Sequence, residues 1–470
     1  MPDREHIVYL SASQTQQLIA KKELSPVEVV KAYLAQIEEY NPIINAICTL
    51  SDRALPEARA AEQAVLRGDP LGLLHGLPVG LKDITPTAGL RTTFGSPLYG
   101  DYIPQADAVI VQRLKTAGAI ILGKTNTPEF AVGASTFNQL FGPTRNPWNR
   151  ELSPGGSTGG GAAALAAGMI ALADGTDLGG SLRIPAAFCG VVGLRPSPGL
   201  VPIYPANYLW DTLNVAGPMA RTAADVALML QAIAGPSPHS PLSQPIQGRD
   251  FVAAVQRGIT KKLRLAYVSD IAGIGVDPDI ERVCRQASFR LADDRITVEE
   301  IEFDLSFAWQ PYLNLRGYRM VAEHYPDLDK IDRFGDNLAN NLKSGLQITM
   351  TALGAAETAR SQIWQKFYSL FENFDHLLTP CAAIPPFSAA KNYPETIAGK
   401  KMNSYIDWIA PTFLLSLTGL PVGCVPSGLT DKNLPVGLQI VGRPQGEEAI
   451  LALAQYIQHI CPIGRPSLVD

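Results

Sequence analysis

Several things are scarce in this chain, and each scarcity removes a class of function. Only 18% of its 470 residues are charged, and no basic block stands out from a formal net charge of −5. That argues against nucleic acid as a partner. The six cysteines (Cys48, Cys189, Cys284, Cys381, Cys424 and Cys461) include no Cys-x-x-Cys pair. Free thiols in a reducing cytosol are therefore expected, rather than a disulfide framework or a metal site. The first residues, Met-Pro-Asp-Arg-Glu-His, contain no apolar signal core. The longest apolar run, Ala162 to Ala173, stops at Asp174 and is too short to span a bilayer. A cytoplasmic protein is the expectation. Neither an internal repeat nor a convincing linker is visible, so residues 1–470 are expected to form a single domain.

What is abundant is apolar: 46% of the residues are hydrophobic, enough for a large core. Ser25-Pro26-Val27-Glu28 reads as a helix start with a capping box, and Asn41-Pro42 as its stop. A second helix is expected over Ala54 to Arg67. Strands at Val79 to Leu81 and Ala119 to Leu122, the latter ended by a turn at Gly123, flank a helix over Ala108 to Thr116. Gly159 to Ala173, apolar on every side, reads as one helix in the middle of the core. Gly235 to Gly248 and Ala382 to Met402 read as irregular segments. Strands are expected at Leu263 to Val268, Ile296 to Ile301, Leu420 to Val425 and Val436 to Ile440. Helices are expected at Pro278 to Leu291 and Glu447 to Ile460. Such alternation predicts an α/β fold with a large mixed, mostly parallel central sheet covered by helices on both faces.

Chemistry concentrates at two Gly-Gly-Ser segments, Gly155-Gly156-Ser157 and Gly179-Gly180-Ser181. Upstream, Lys82 is the best-placed cation in the otherwise apolar Gly-Leu-Pro-Val-Gly-Leu-Lys-Asp (76–83). Glycines let backbone N–H groups converge on a developing oxyanion, a serine supplies a nucleophile, and a buried neutral lysine can act as a base. Three arrangements are compatible with these residues. Phosphate binding at 155–161 lacks the following Gly-Lys-Ser/Thr and any Rossmann spacing. A nucleophile elbow at Gly155-Gly156-Ser157-Thr158-Gly159 needs a histidine, and His239, His324, His376 and His459 carry no supporting local signature. The third is a Ser-Ser-Lys arrangement.

The stretch Gly155 to Pro185, continued by Ala-Ala-Phe-Cys-Gly-Val-Val-Gly-Leu-Arg-Pro, resembles the signature region of the amidase signature family. Residues 76–83, Gly-Lys-Thr-Asn-Thr-Pro-Glu-Phe (123–130), Gly-Pro-Thr-Arg-Asn-Pro-Trp-Asn (142–149) and Leu-Pro-Val-Gly-Leu-Gln-Ile-Val-Gly-Arg-Pro (434–444) are similar to family segments in the family's order. The likeness is densest over about 70–220 and weakest over about 245–400, a region expected to shape the substrate site. The resemblance implies amide hydrolysis through an acyl-enzyme on Ser181, with Ser157, after a cis peptide bond, as proton relay and Lys82 as base. It implies an oxyanion hole from the N–H groups of Leu178, Gly179, Gly180 and Ser181, a backbone wall at Ala131, Val132 and Gly133, and no cofactor or metal. The expected partner is a small-molecule amide, with neither nucleic acid nor membrane and with a homodimer left open.

Bland roles stand beside these. Lys82 reads equally as an ordinary strand-end lysine paired with Asp83, Ser157 as a helix N-cap, and Asp177 and Arg183 as structural hydrogen-bonding groups. Three departures from the family pattern (Thr158, Leu182 and Arg195-Pro196-Ser197) fall at none of the three site positions. The family's amidotransferase glutaminase subunits usually carry Ser-Ile-Arg-Gln-Pro, whereas this chain has Ile184 in place of the glutamine. A stand-alone amidase for an uncharged or partly apolar amide is the expectation; the alternative is the glutaminase component of a tRNA-dependent amidotransferase. Tyr312, Tyr318 and Trp408 are candidate pocket walls, each with a core role as its equal.

Overall fold

The computed structural model of the protein describes residues 4–468; Met1 to Asp3 of the N-terminal stretch considered above lie outside it. Eleven strands form one sheet. In chain order they are β1 (Ile47–Leu50), β2 (Pro78–Lys82), β3 (Ile120–Thr125), β4 (Leu172–Asp177), β5 (Val192–Arg195) and β6 (Val215–Ala220). The others are β7 (Leu263–Tyr267), β8 (Ile296–Glu300), β9 (His376–Pro380), β10 (Val422–Leu429) and β11 (Pro435–Val441). Their spatial order is β1-β3-β2-β4-β6-β5-β10-β11-β9-β7-β8. The pairs β3–β2, β2–β4, β9–β7 and β7–β8 run parallel, and the remaining six neighbours run antiparallel. The α/β mixed sheet is thus as expected, but it is not mostly parallel. Its four parallel pairs lie towards the two flanks. The middle, where loops rather than helical crossovers join β5 to β6 and β10 to β11, is antiparallel. Among the described residues no helix is long and apolar enough to cross a membrane.

Local signals fixed most elements. Ser25 Oγ accepts from the Val27 N–H at 3.0 Å while Glu28 accepts from the Ser25 N–H at 2.9 Å, so the capping box opens the helix Pro26–Ile44. The expected stop at Asn41-Pro42 is displaced to Asn45, which takes a left-handed conformation (φ 55°). A proline in the last turn forfeits only one hydrogen bond. Asn41 instead accepts from the N–H groups of Ala46 and Ile47 and turns the chain into β1. Gly123 is not a turn but lies inside β3. A Cβ there would stand 2.1 Å from the Thr49 carbonyl oxygen of β1, so the glycine permits strand contact rather than reversal.

The apolar run 159–173 also departs from expectation. Its helix covers only Gly159–Ala166, and Leu172 already begins β4. Uniform burial removes the periodicity that tells helix from strand, and the break falls near Gly168 at φ 68°. This short connection sets two functional segments side by side: the loop before the helix and the loop after β4.

Candidate active site

Lys82 ends β2 with its side chain fully buried. Its Nζ lies 2.7 Å from Ser157 Oγ, 3.0 Å from Thr158 Oγ1 and 3.1 Å from Thr176 Oγ1. Its backbone N–H donates to Asp174 Oδ1 at 2.6 Å. Burial disfavours the ammonium and lowers the lysine pKa to about 7, although Asp174 and Asp177 pull the other way. The expected surface pairing with Asp83 does not occur. Asp83 is buried and accepts instead from Thr93, through both its N–H and its hydroxyl. Three hydroxyls suit either state of the amine. The ammonium donates to all three, whereas the neutral amine donates to two and accepts from the third.

Ser157 follows a cis peptide bond from Gly156. It does not cap the helix Gly159–Ala166: Thr158 holds that position without a side-chain cap, and the Gly159 N–H donates to Thr136 Oγ1 at 3.1 Å. Freed from capping, the Ser157 hydroxyl meets Lys82. The two glycine-serine loops are joined by a hydrogen bond from the Thr158 N–H to the Ser181 carbonyl at 3.3 Å. Ser157 is buried, Ser181 is partly exposed, and both line one cavity of about 400 Å³.

The loop Leu178–Ser181 is held from below. Asp177 accepts from the Gly180 N–H at 2.8 Å, the Leu182 N–H at 3.2 Å and two Arg183 nitrogens at 3.0 and 2.9 Å. Burial alone would raise its carboxyl, but Arg183, Arg195 and these hydrogen bonds hold it well below the usual carboxylate range. Asp177 and Arg183 are therefore structural, as read from sequence. The expected four converging donors are reduced, because the Gly180 N–H is committed to Asp177. Gly180 contributes conformation instead: it sits at φ 119°, and a Cβ there would stand 2.3 Å from Thr412 Oγ1. The N–H groups of Gly179 and Ser181 find no acceptor among the described residues.

Ala131, Val132 and Gly133 line the same cavity, after Phe130 and Ala131 in left-handed conformations (φ 48° and 60°). Glu129 braces this turn through Ser96 Oγ and the Gly335 N–H, both at 2.6 Å. Of the proposed aromatic walls, Tyr312 and Trp408 are buried in the core, stacked on Phe413 and Phe188 respectively. Tyr318 is exposed and packs edge-on to Tyr208, which does line the cavity. The apolar wall comes instead from Phe94, Tyr99, Tyr102, Phe130 and Ile184. Of these, Ile184 was singled out from the sequence, whereas sequence reasoning missed the four aromatics and also Asp174 and Thr176. Their signal was the two-residue alternation along β4, whose Leu172 and Ala173 pair with Val79 and Gly80 of the lysine strand. Among the histidines, His239 stacks on Tyr204 and His376 is buried in β9. Only His324 reaches the cavity, where burial lowers its pKa to about 4.

A family model described as Amidase matches residues 28–451. The chain belongs to the amidase signature family. Amide hydrolysis is the activity this membership assigns. A glutamyl-tRNA(Gln) amidotransferase subunit from Carboxydothermus hydrogenoformans is 36% identical over 475 residues, covering 95% of this amidase chain and 96% of its own. An acylamidase from Rhodococcus erythropolis is 36% identical over 476 residues, covering 97% of each. The crystal structure of a bacterial aryl acylamidase of the amidase signature family superposes with a TM-score of 0.90 at 27% identity, covering 98% of this chain and 99% of that one.

Proposed function

We propose that the protein hydrolyses a carboxylic amide through an acyl-enzyme on Ser181, with Ser157 relaying the proton to Lys82. The observation that carries this is the 2.7 Å contact between Lys82 Nζ and Ser157 Oγ, beside a partly exposed Ser181. Neutral Lys82 accepts the Ser157 proton while Ser157 accepts that of Ser181, whose Oγ attacks the amide carbon. The Gly179 and Ser181 N–H groups face the oxygen that gains charge, and Leu178 lines the approach. Collapse returns the proton through Ser157 to the leaving nitrogen, and water then releases the carboxylate by the same route.

A stand-alone enzyme is favoured by Ile184, which lines the cavity as an apolar side chain where glutamine-handling relatives carry glutamine. The second reading, the glutaminase component of an amidotransferase, draws on the Carboxydothermus relative at 36% identity. The six free cysteines fit a reducing cytoplasm, and residues 1–470 are read as one catalytic unit. A panel of simple amides assayed on the purified chain and on Ser181→Ala tests this. Turnover by the wild type alone supports the proposal. Activity that emerges only with added partner proteins would support the second reading instead.

A further inference from the structure

Arg316 lines the substrate cavity and is only 6% exposed, yet among the described residues no carboxylate forms an ion pair with it. Its hydrogen-bond partners are neutral. Nε donates to Asn341 Oδ1 at 3.1 Å, Nη2 donates to the Tyr405 hydroxyl at 2.6 Å, and Tyr312 stands close by. The Tyr405 hydroxyl also accepts from Asn341 Nδ2 at 2.9 Å, which leaves its own proton to be donated elsewhere. The Arg316 Nη1 amino group finds no acceptor in hydrogen-bond geometry among the described residues.

Most other charges of the wall are paired, while Asp174 accepts from the Lys82 N–H and the Thr85 hydroxyl. Arg319, on the same helix Trp309–Glu323, meets Asp211 at 2.6 Å and Glu323 at 3.9 Å. Asp327 is met by Lys330 at 2.5 Å. A buried guanidinium without a counter-ion is expensive, and the expense is relieved when an anion arrives. Planar Arg geometry favours a carboxylate.

Its position relative to the scissile bond follows from two chain segments. Tyr312 packs its hydroxyl against Gly179, and Arg316 lies four residues further on, just over one helical turn or about 6 Å along the axis. Ile409 packs on the same glycine, and Tyr405 precedes it by four residues. Both segments therefore touch the oxyanion loop at one point and carry the Arg316–Tyr405 pair a short step away, at the cavity wall. We infer that Arg316 and Tyr405 form a carboxylate subsite, and that the preferred substrate is an amide bearing a carboxylate a few atoms from the scissile carbonyl. This deepens the reading of Ser181 as nucleophile and rests on it, and it revises the expectation of an uncharged amide.

Calorimetry on Ser181→Ala separates the two ideas, since binding needs no turnover. Two matched pairs place the carboxylate: the monoamide of glutaric acid against pentanamide for the acyl side, and N-benzoylglycine against N-propylbenzamide for the amine side. In at least one pair the acid should bind about tenfold or more tightly. Adding Arg316→Gln should bring that ratio to about one, and Arg316→Lys should restore part of it. Thermal melts and binding of the neutral partner report folding of each variant. Equal binding within both pairs, no binding of either acid, or an acid preference that survives Arg316→Gln would overturn the subsite. Residual hydrolysis by Ser181→Ala would instead overturn the nucleophile assignment and leave the binding ratio readable.

Discussion

Lys82 and Lys124 stand near the ends of neighbouring parallel strands, in a register that sets Leu81 opposite Lys124 and Lys82 opposite Thr125. Both are fully buried, and burial lowers both pKa values, to about 7 for Lys82 and about 8 for Lys124. Their surroundings differ in one respect that decides their chemistry. Lys82 faces three hydroxyls, one of them on Ser157 at 2.7 Å. Lys124 faces the Thr85 carbonyl and the Thr87 hydroxyl, itself bonded to that same carbonyl at 3.1 Å. A carbonyl only accepts, so Lys124 keeps its protons and ties the chain after β2 to β3. A hydroxyl also donates, so Lys82 is able to take a proton and return it. Burial makes a lysine ready to act as a base, and only a proton-bearing partner makes it one.

The largest effect expected from breaking this contrast is at Ser181, the proposed nucleophile, and at Lys82. Ser181→Ala and Lys82→Met should each lower kcat by about 10⁴-fold or more on any amide the wild type hydrolyses, and their combination should cost little beyond either alone. Independent, additive losses would separate Lys82 from the serine it is assigned to serve. Ser157→Ala should fall between, with kcat down by about 10²- to 10³-fold, since Ser181 keeps its place in the cavity while losing its relay. Full activity in that variant would dissolve the Lys82–Ser157 unit.

The pH profile gives the next step down. Lys82 must be neutral, so kcat/KM should climb about tenfold per pH unit below about 7 and flatten above it. An unperturbed histidine would titrate at about 6.5, too near to distinguish by midpoint alone. The discriminating measurement is therefore the stability of Lys82→Met against pH. Between about 7 and 10.5 an unfolded chain holds the Lys82 proton and the folded chain does not, so wild-type stability should rise with pH across that window. The variant should lose part of that slope, and an unchanged slope would show Lys82 to be protonated when folded.

The smallest catalytic effect belongs to the second lysine. Lys124→Met should destabilise the fold by about 1–3 kcal/mol, read as a lower Tm, because it leaves the Thr85 carbonyl with only the Thr87 hydroxyl and Asp83 without its nearby cation. Its kcat should fall less than about tenfold. A loss comparable to that of Lys82→Met would make the two lysines one catalytic pair.

Much of this site was legible beforehand, for identifiable reasons. Lys82, Ser157 and Ser181 lie in local motifs whose glycines show where the backbone must turn or approach closely. The capping box at Ser25 and the helix Glu447–Ile460 follow from short-range hydrogen bonding and periodicity, which a single segment contains. The extent of the helix after Gly159 was not legible, because a segment buried on all sides has no polar face to mark its period. Nor was the substrate wall. Tyr312 reads as a candidate cavity aromatic, yet it stacks on Phe413 behind the loop 178–181, while Phe94 and Phe130, not singled out as walls, line the cavity.

The sequence by itself determined the residue types proposed for the chemistry and the glycines that let them meet, since both are properties of short segments. Tertiary structure alone decided which lysine meets a serine and which arginine is left without a carboxylate. Those outcomes depend on side chains such as Lys82 and Ser157, 75 residues apart, and Arg316 and Tyr405, 89 residues apart, coming within hydrogen-bond distance. Pairing at that range is set by sheet register and packing, which no local pattern encodes.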